Sequence, residues 1–205
     1  MSLWSERVLP VLVEKACRSR AILDERRRWI PRAHGDVLEL GVGSGLNLAF
    51  YDPARVARVT GIDPSQPLLV RAATRAASAP VPVSLVEGSA EQLPFDARSF
   101  DSAVVTYALC SVGDPARTLA EVRRVLRPGG ELVFVEHGLA PEARTRRWQH
   151  ALTPIWRRIA GGCRLDRDVG AILREAGYQL DELAADYSDG VRWLSFTYEG
   201  IARPS

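Results

Sequence analysis

Lysine is nearly absent from this chain: Lys15 is the only one, and the other basic residues are arginine. Basic and acidic residues almost balance, at a formal net charge of +2. That gives no general field for a polyanion and no case for nucleic-acid binding. Cysteine is scarce as well. Cys17, Cys110 and Cys163 are odd in number, widely spaced and free of C-x-x-C spacing. Neither a disulfide framework nor a metal site is expected, and a reducing compartment is. No apolar run approaches the roughly 20 residues of a membrane span, and the N-terminus lacks a signal-peptide pattern. A cytoplasmic chain with no transmembrane segment is the expectation. Repeats, low-complexity tracts and linkers are also missing, and 205 residues suit one domain with a sizeable core.

What is present is an alternation of short apolar runs and helical patterns. Residues 3–31 read as helical, with a break at Pro10. Strands are predicted at 36–41, 57–63, 83–88, within 100–110 and over "ELVFVEHG" (131–138), with helices starting at 46–51 and over 65–78. "DPARTLAEVRRVLRPGG" has full helix grammar: Asp114 as cap, Pro115 at the first position, apolar residues at helical spacing, then Pro128 and two glycines. A helix at 166–176 and two strands near 178–186 and 191–201 follow. This order predicts an α/β, Rossmann-like fold, a seven-stranded and mostly parallel sheet with an antiparallel C-terminal strand and helices on both faces.

In such a sheet ligands bind beyond the carboxyl ends of the strands, where the strand order reverses. The first strand ends in "ELGVGSGLN". Glycines 41, 43 and 45 allow close backbone approach, while Leu46 falls where a dinucleotide fingerprint wants its third glycine. Glu39 is an odd neighbour for a pyrophosphate and a sensible one for a cationic ligand. Asp63, before Pro64 at the end of the second strand, can accept both hydroxyls of a ribose; its plain alternative is a turn residue.

Together these residues resemble the class I S-adenosylmethionine-dependent methyltransferases. Glu39, Gly41, Gly43 and Gly45 match motif I, Asp63 the acidic ribose ligand, and "GSAEQLPF" (88–95) the motif where adenine is usually contacted. The family often carries Asp where this chain has Ser89, which shifts the adenine contact to a backbone group or Glu91. The resemblance implies S-adenosylmethionine as cofactor, S-adenosylhomocysteine as product, and a cofactor site that also includes Asn47, Pro64, Ala90, Thr106 and Tyr107. An NAD-dependent oxidoreductase is the rival; the third glycine and a Tyr-x-x-x-Lys pair are missing for it.

"LCSV" (109–112), "EH" (136–137), "WQ" (148–149), "PIW" (154–156) and "GGCRLDR" (161–167) are similar in order and spacing to methyltransferase-like family seven, the eukaryotic alkyl-thiol S-methyltransferases and their bacterial relatives. The N-terminal apolar anchor of those relatives is not found here. The resemblance implies a small-molecule acceptor, thiol favoured, with Leu109, Cys110, Trp148, Gln149 and Cys163 in the acceptor pocket. A quinone, a phospholipid amine or an O, N or C atom of a secondary metabolite is the alternative. A thiol needs only to lose its proton, which His137 could take with Glu136 orienting it. Because adjacent strand residues face opposite ways, both can serve one pocket only if the strand ends there. Their bland role is capping of the strand tip.

The Arg- and Trp-rich stretch 142–160 reads as a lid that packs, with peripheral membrane contact as the alternative. One methyltransferase domain is expected: a helical cap over 1–33, a cofactor-binding core over 36–137, and an acceptor-side lid with a C-terminal hairpin over 138–205. Nothing in the sequence specifies an oligomeric state.

Overall fold

The computed structural model describes Glu14 and residues 17–205. The first part of the helix expected over 3–31 lies outside the described residues, including Trp4, Val8, Pro10 and Leu12. Its described part is α1, Arg20–Trp29, continued by a 3-10 turn at Ile30–Arg32.

Seven strands follow: β1 (Gly35–Leu40), β2 (Val56–Asp63), β3 (Val83–Glu87), β4 (Phe100–Thr106), β5 (Leu126–His137), β6 (Tyr178–Tyr187) and β7 (Phe196–Pro204). They form one sheet in the order β3-β2-β1-β4-β5-β7-β6. Strands β1 to β5 pair in parallel, and β7 runs antiparallel to both β5 and β6. This is the sheet predicted from the alternation of elements. Helices α2 (Gln66–Ala76), α3 (Pro115–Val125), α4 (Ala143–Ile159) and α5 (Val169–Glu175) complete the fold. Asp114 caps α3 through the Arg117 N–H at 3.0 Å, with Pro115 in the first turn. No helix among the described residues is long and apolar enough to cross a membrane.

Strand parity divides the core into two layers. Leu38, Leu40, Val105, Leu132 and Phe134 pack with Leu119 and Val122 of α3 and Leu173 of α5. Val37, Val104, Val133 and Val135 face the other way, against Trp29 and Ile30. Along β5 the even positions therefore join the α3–α5 layer and the odd ones the α1 layer.

One element departs from expectation. Residues 46–51 form no helix but a chain of tight turns, with Gly45 N–H on Val42 O (2.8 Å), Leu48 N–H on Gly45 O (3.3 Å) and Phe50 N–H on Asn47 O (2.8 Å). Left-handed Gly41, Gly43 and Gly45 start this path, and the buried side chains of Asn47 and Tyr51 are drawn inward onto Glu39. Strand β4 ends at Thr106, inside the segment 100–110 expected to contain it. Tyr107 takes φ +55°, a left-handed conformation uncommon outside glycine, and swings the chain off the sheet edge.

Candidate functional site

Chain order reverses between β1 and β4, and their carboxyl ends part to leave a crevice. A cavity of about 540 Å³ fills it. On the β1–β2 side it is lined by Glu39, Gly41, Gly43 and Asp63; on the β4–β5 side by Thr106, Tyr107, Cys110 and His137. Arg26 of α1 closes one wall. Trp156 and Cys163, with the loop 188–195 between β6 and β7, close another.

The glycine loop is held by the carboxylates beside it. Asp63 accepts from Gly43 N–H at 2.9 Å and from Ser65 N–H at 2.8 Å, which fixes the carboxylate at the cavity wall. Burial raises its pKa, against the pull of those two N–H groups. Glu39 accepts from the Asn47 amide (2.9 Å) and the Tyr51 hydroxyl (2.8 Å), and burial pushes its pKa up to about 7. Arg26 then donates to Thr106 Oγ1 at 2.9 Å and to the Asn47 side chain, locking α1 over the loop.

The glycines divide their work. A Cβ on Gly41 would meet the Ala108 Cβ at 2.5 Å, and one on Gly45 would meet Leu48 at 2.9 Å and Ala72 of α2 at 3.2 Å. Gly45 is thus the residue that lets the loop pack on α2, the task a dinucleotide fingerprint gives its third glycine. A Cβ on Gly43 would meet only Gly41 O, at 3.8 Å. Its space opens onto the cavity.

Glu136 and His137 part company. His137 lines the cavity with its ring against Tyr107, centroids 4.6 Å apart. Burial lowers its pKa to about 4, and its Nδ1 has no hydrogen-bond partner. Glu136 sits on the other face, fully buried, and is corrected from catalytic candidate to anchor of the post-β4 turn. It accepts from the N–H groups of Ala108 (2.8 Å), Leu109 (2.8 Å) and Cys110 (3.0 Å). Burial also raises its pKa to about 7.

Other expected contacts are relocated. Glu91 accepts from Gly113 N–H (2.8 Å) and Asp114 N–H (3.2 Å), Ser89 from Glu91 N–H (3.1 Å), and Ala90 packs on the α3 layer. The turn before α3 thus occupies the Glu91 carboxylate, and none of the three lines the cavity. Leu109 is core. Gln149 is buried as a brace, accepting from Ala140 N–H (2.9 Å) and donating to Gly138 O (3.0 Å) and Trp193 O (3.3 Å). Trp148 points outward. Asn47 and Gly45 support the loop behind the wall rather than line it, and Pro64 is exposed and outside the lining.

Several residues that line the cavity or brace its wall carry no sequence signal. Arg26 belongs to an arginine run that reads as solvated helix, yet it is buried with its Nε unpaired. Arg167 is buried beneath the post-β4 turn, donating to Val112 O at 2.7 Å and to Leu109 O. The three cysteines, scattered in sequence, all line this one cavity. Only a fold can bring them together.

The site suits S-adenosylmethionine. Asp63 offers acceptor oxygens to a ribose diol, and Gly41 and Gly43 admit close approach. The unpaired Arg26 Nε is a donor for a carboxylate, and Glu39 keeps an acid near the ligand's cationic end. Fold and crevice together define a class I S-adenosylmethionine-dependent methyltransferase. Comparison agrees: the methyltransferase-domain family model matches residues 38–134. Thiol S-methyltransferase TMT1B of Homo sapiens is 36% identical over 163 residues, 77% of this chain and 65% of its own length. Phosphatidylethanolamine N-methyltransferase of Cereibacter sphaeroides is 43% identical over 105 residues, 50% of this chain and 51% of its own. A crystal structure of an S-adenosylmethionine-dependent methyltransferase from Methanosarcina mazei superposes with a TM-score of 0.65 at 25% identity, covering 82% of this chain and 92% of that one. The chain carries a methyltransferase domain and is similar to class I S-adenosylmethionine-dependent methyltransferases, thiol S-methyltransferases among them. It spans 65% of the length of the human relative.

Proposed function

We propose that this domain methylates a small thiol, with His137 receiving the thiol proton. The observation that carries the reading is the His137 imidazole: neutral, half-buried and lining the same cavity as the glycine loop. When bound, S-adenosylmethionine supplies a methyl group on a sulfonium, an electrophile that needs no activation by the protein. The chain's work is to position and to exclude water. Asp63, Gly41 and Gly43 hold the cofactor's ribose side, and Arg26 its carboxylate. Tyr107 turns its ring to the cavity and can face a cation. Its hydroxyl is spent on Glu25, and burial pushes its pKa far up, so it stays a phenol.

At the acceptor end, Cys110, Cys163, Trp156 and Leu194 form a soft, apolar wall that suits sulfur better than a charged group. A thiol docked there would pass its proton to the neutral imidazole, leaving the sulfur lone pair as the nucleophile that bonds the transferred methyl. The same reading makes the chain one domain: cap 1–33, cofactor core 36–137, acceptor side 138–205. An amine acceptor is the second reading, favoured by the similarity to the phosphatidylethanolamine enzyme.

A panel of hydrogen sulfide, alkyl thiols, a phenol and phosphatidylethanolamine tests both. Thiol products are expected, and methylation of the amine or phenol without any thiol product overturns the proposal. His137→Asn should lower kcat/KM for thiols about 100-fold, the usual reach of one positioned base, with S-adenosylhomocysteine affinity unchanged.

A further inference from the structure

Helix α4 is built inside out. A surface helix ordinarily buries its large apolar residues and exposes its polar ones. Here the buried positions include Thr145, Gln149 and Thr153. Trp148, Ile155 and Ile159 stand 56, 61 and 48% exposed. Spaced seven and four residues apart, they form one stripe along the helix. Val191, 58% exposed, belongs to the loop that packs beside α4 through Gln149 and the Trp156–Trp193 contact.

Charge follows the same plan. The 17 residues of α4 include five arginines, 144, 146, 147, 157 and 158, and no acidic residue. With the chain at net +2, everything outside α4 sums to −3. All five arginines are exposed, and none is among the ion-paired arginines of the described residues. Three of them crowd the helix N-terminus, where the macrodipole opposes positive charge. Arg144, Arg147 and Arg158 flank the apolar stripe on one side.

We infer that α4 and the 188–195 loop form a docking face for an anionic lipid surface, the stripe entering the headgroup region and the arginines pairing with lipid phosphates. A tryptophan and isoleucines rimmed by arginine on a short, non-spanning helix are the composition of an interfacial helix. The face adjoins the cavity: Trp156 and Ala160 near the end of α4, and Val191 on the loop, belong to its lining. A bilayer on α4 would thus lie at the rim, where an apolar acceptor dissolved in lipid could enter. The surface itself does not depend on which acceptor is used.

Co-sedimentation of the full chain with vesicles of phosphatidylcholine alone, or of phosphatidylcholine and phosphatidylglycerol in equal parts, tests this. Binding to the anionic vesicles that weakens with salt is expected. Arg144→Gln with Arg147→Gln should weaken partitioning about 30-fold, each arginine near an anionic surface being worth about fivefold. Ile155→Ser with Ile159→Ser should weaken it on both vesicle types while activity on a water-soluble acceptor, and the melting temperature, stay at wild-type values. No binding to anionic vesicles at low salt, or wild-type binding by both double variants, overturns the inference. Retention of a nucleic acid by the same arginines, without vesicle binding, overturns it too. Loss of thiol methylation with vesicle binding intact would sink the acceptor assignment alone.

Discussion

The imidazole of His137 is held near pKa 4 by burial, below its ordinary 6.5. The unfolded chain therefore binds this proton and the folded one does not between those values. The contribution is present above pH 6.5 and lost as pH falls toward 4, up to about 3 kcal/mol. Glu136 has the opposite sign: its pKa rises from 4.5 to about 7, so its contribution is present below pH 4.5 and lost as pH climbs through 7. Glu39 behaves like Glu136. In urea denaturation, His137→Asn should gain on wild type as pH falls from 6.5 to 4, and Glu136→Gln should gain on it as pH rises from 4.5 to 7. Parallel curves for wild type and either variant would refute the corresponding burial. The two residues are chain neighbours with contrary roles because β5 is still a strand at Glu136: one faces the turn after β4, the other the cavity.

At the scale of elements, the glycine loop separates packing from ligand approach. Gly45→Ala must place a Cβ against Leu48 and Ala72 at φ +81°. Left-handed strain and overpacking together should cost about 2–4 kcal/mol in urea denaturation. Gly43→Ala meets almost nothing. It should cost only about 1–2 kcal/mol of left-handed strain, yet abolish most S-adenosylhomocysteine binding by calorimetry. Equal stability losses in the two variants would deny this division. The strands were legible because continuous apolar runs such as Ala103–Val105 and Leu132–Val135 mark strands buried on both faces. Cap and proline signals made α3 legible too. The 46–51 turns were not, since helical spacing there competes with Asn47 and Tyr51 reaching inward to a carboxylate eight and twelve residues back. Glycine loop and Asp63 could be read from local spacing. Arg26, Arg167 and the 188–195 loop reach the site only through tertiary packing, which leaves no local pattern. Trp148 and Gln149 show the same limit. Both were expected at the acceptor pocket, but adjacent helix residues point about 100° apart, and it is the glutamine that is buried, satisfying three backbone groups.

Across the whole molecule, the cavity joins parts far apart in sequence: the end of the cap, both halves of the sheet and the C-terminal hairpin loop. A ligand filling it ties those parts together and should stabilise the chain as a unit. At 100 times its Kd, S-adenosylhomocysteine adds about 2.7 kcal/mol. For a chain of this size that raises the melting temperature by about 5–10 °C. NAD should give no shift, because the loop packs Gly45 against α2 through tight turns and Glu39 stands where a pyrophosphate would need positive partners. Arg26 supplies the link between cap and sheet, so Arg26→Met should lose much of the shift as well as some stability of the unliganded chain. Comparing the two losses separates its roles. If the variant is destabilised but shows the full ligand shift, Arg26 only fastens α1; if the shift itself shrinks, the guanidinium reaches the ligand, as its unpaired Nε indicates.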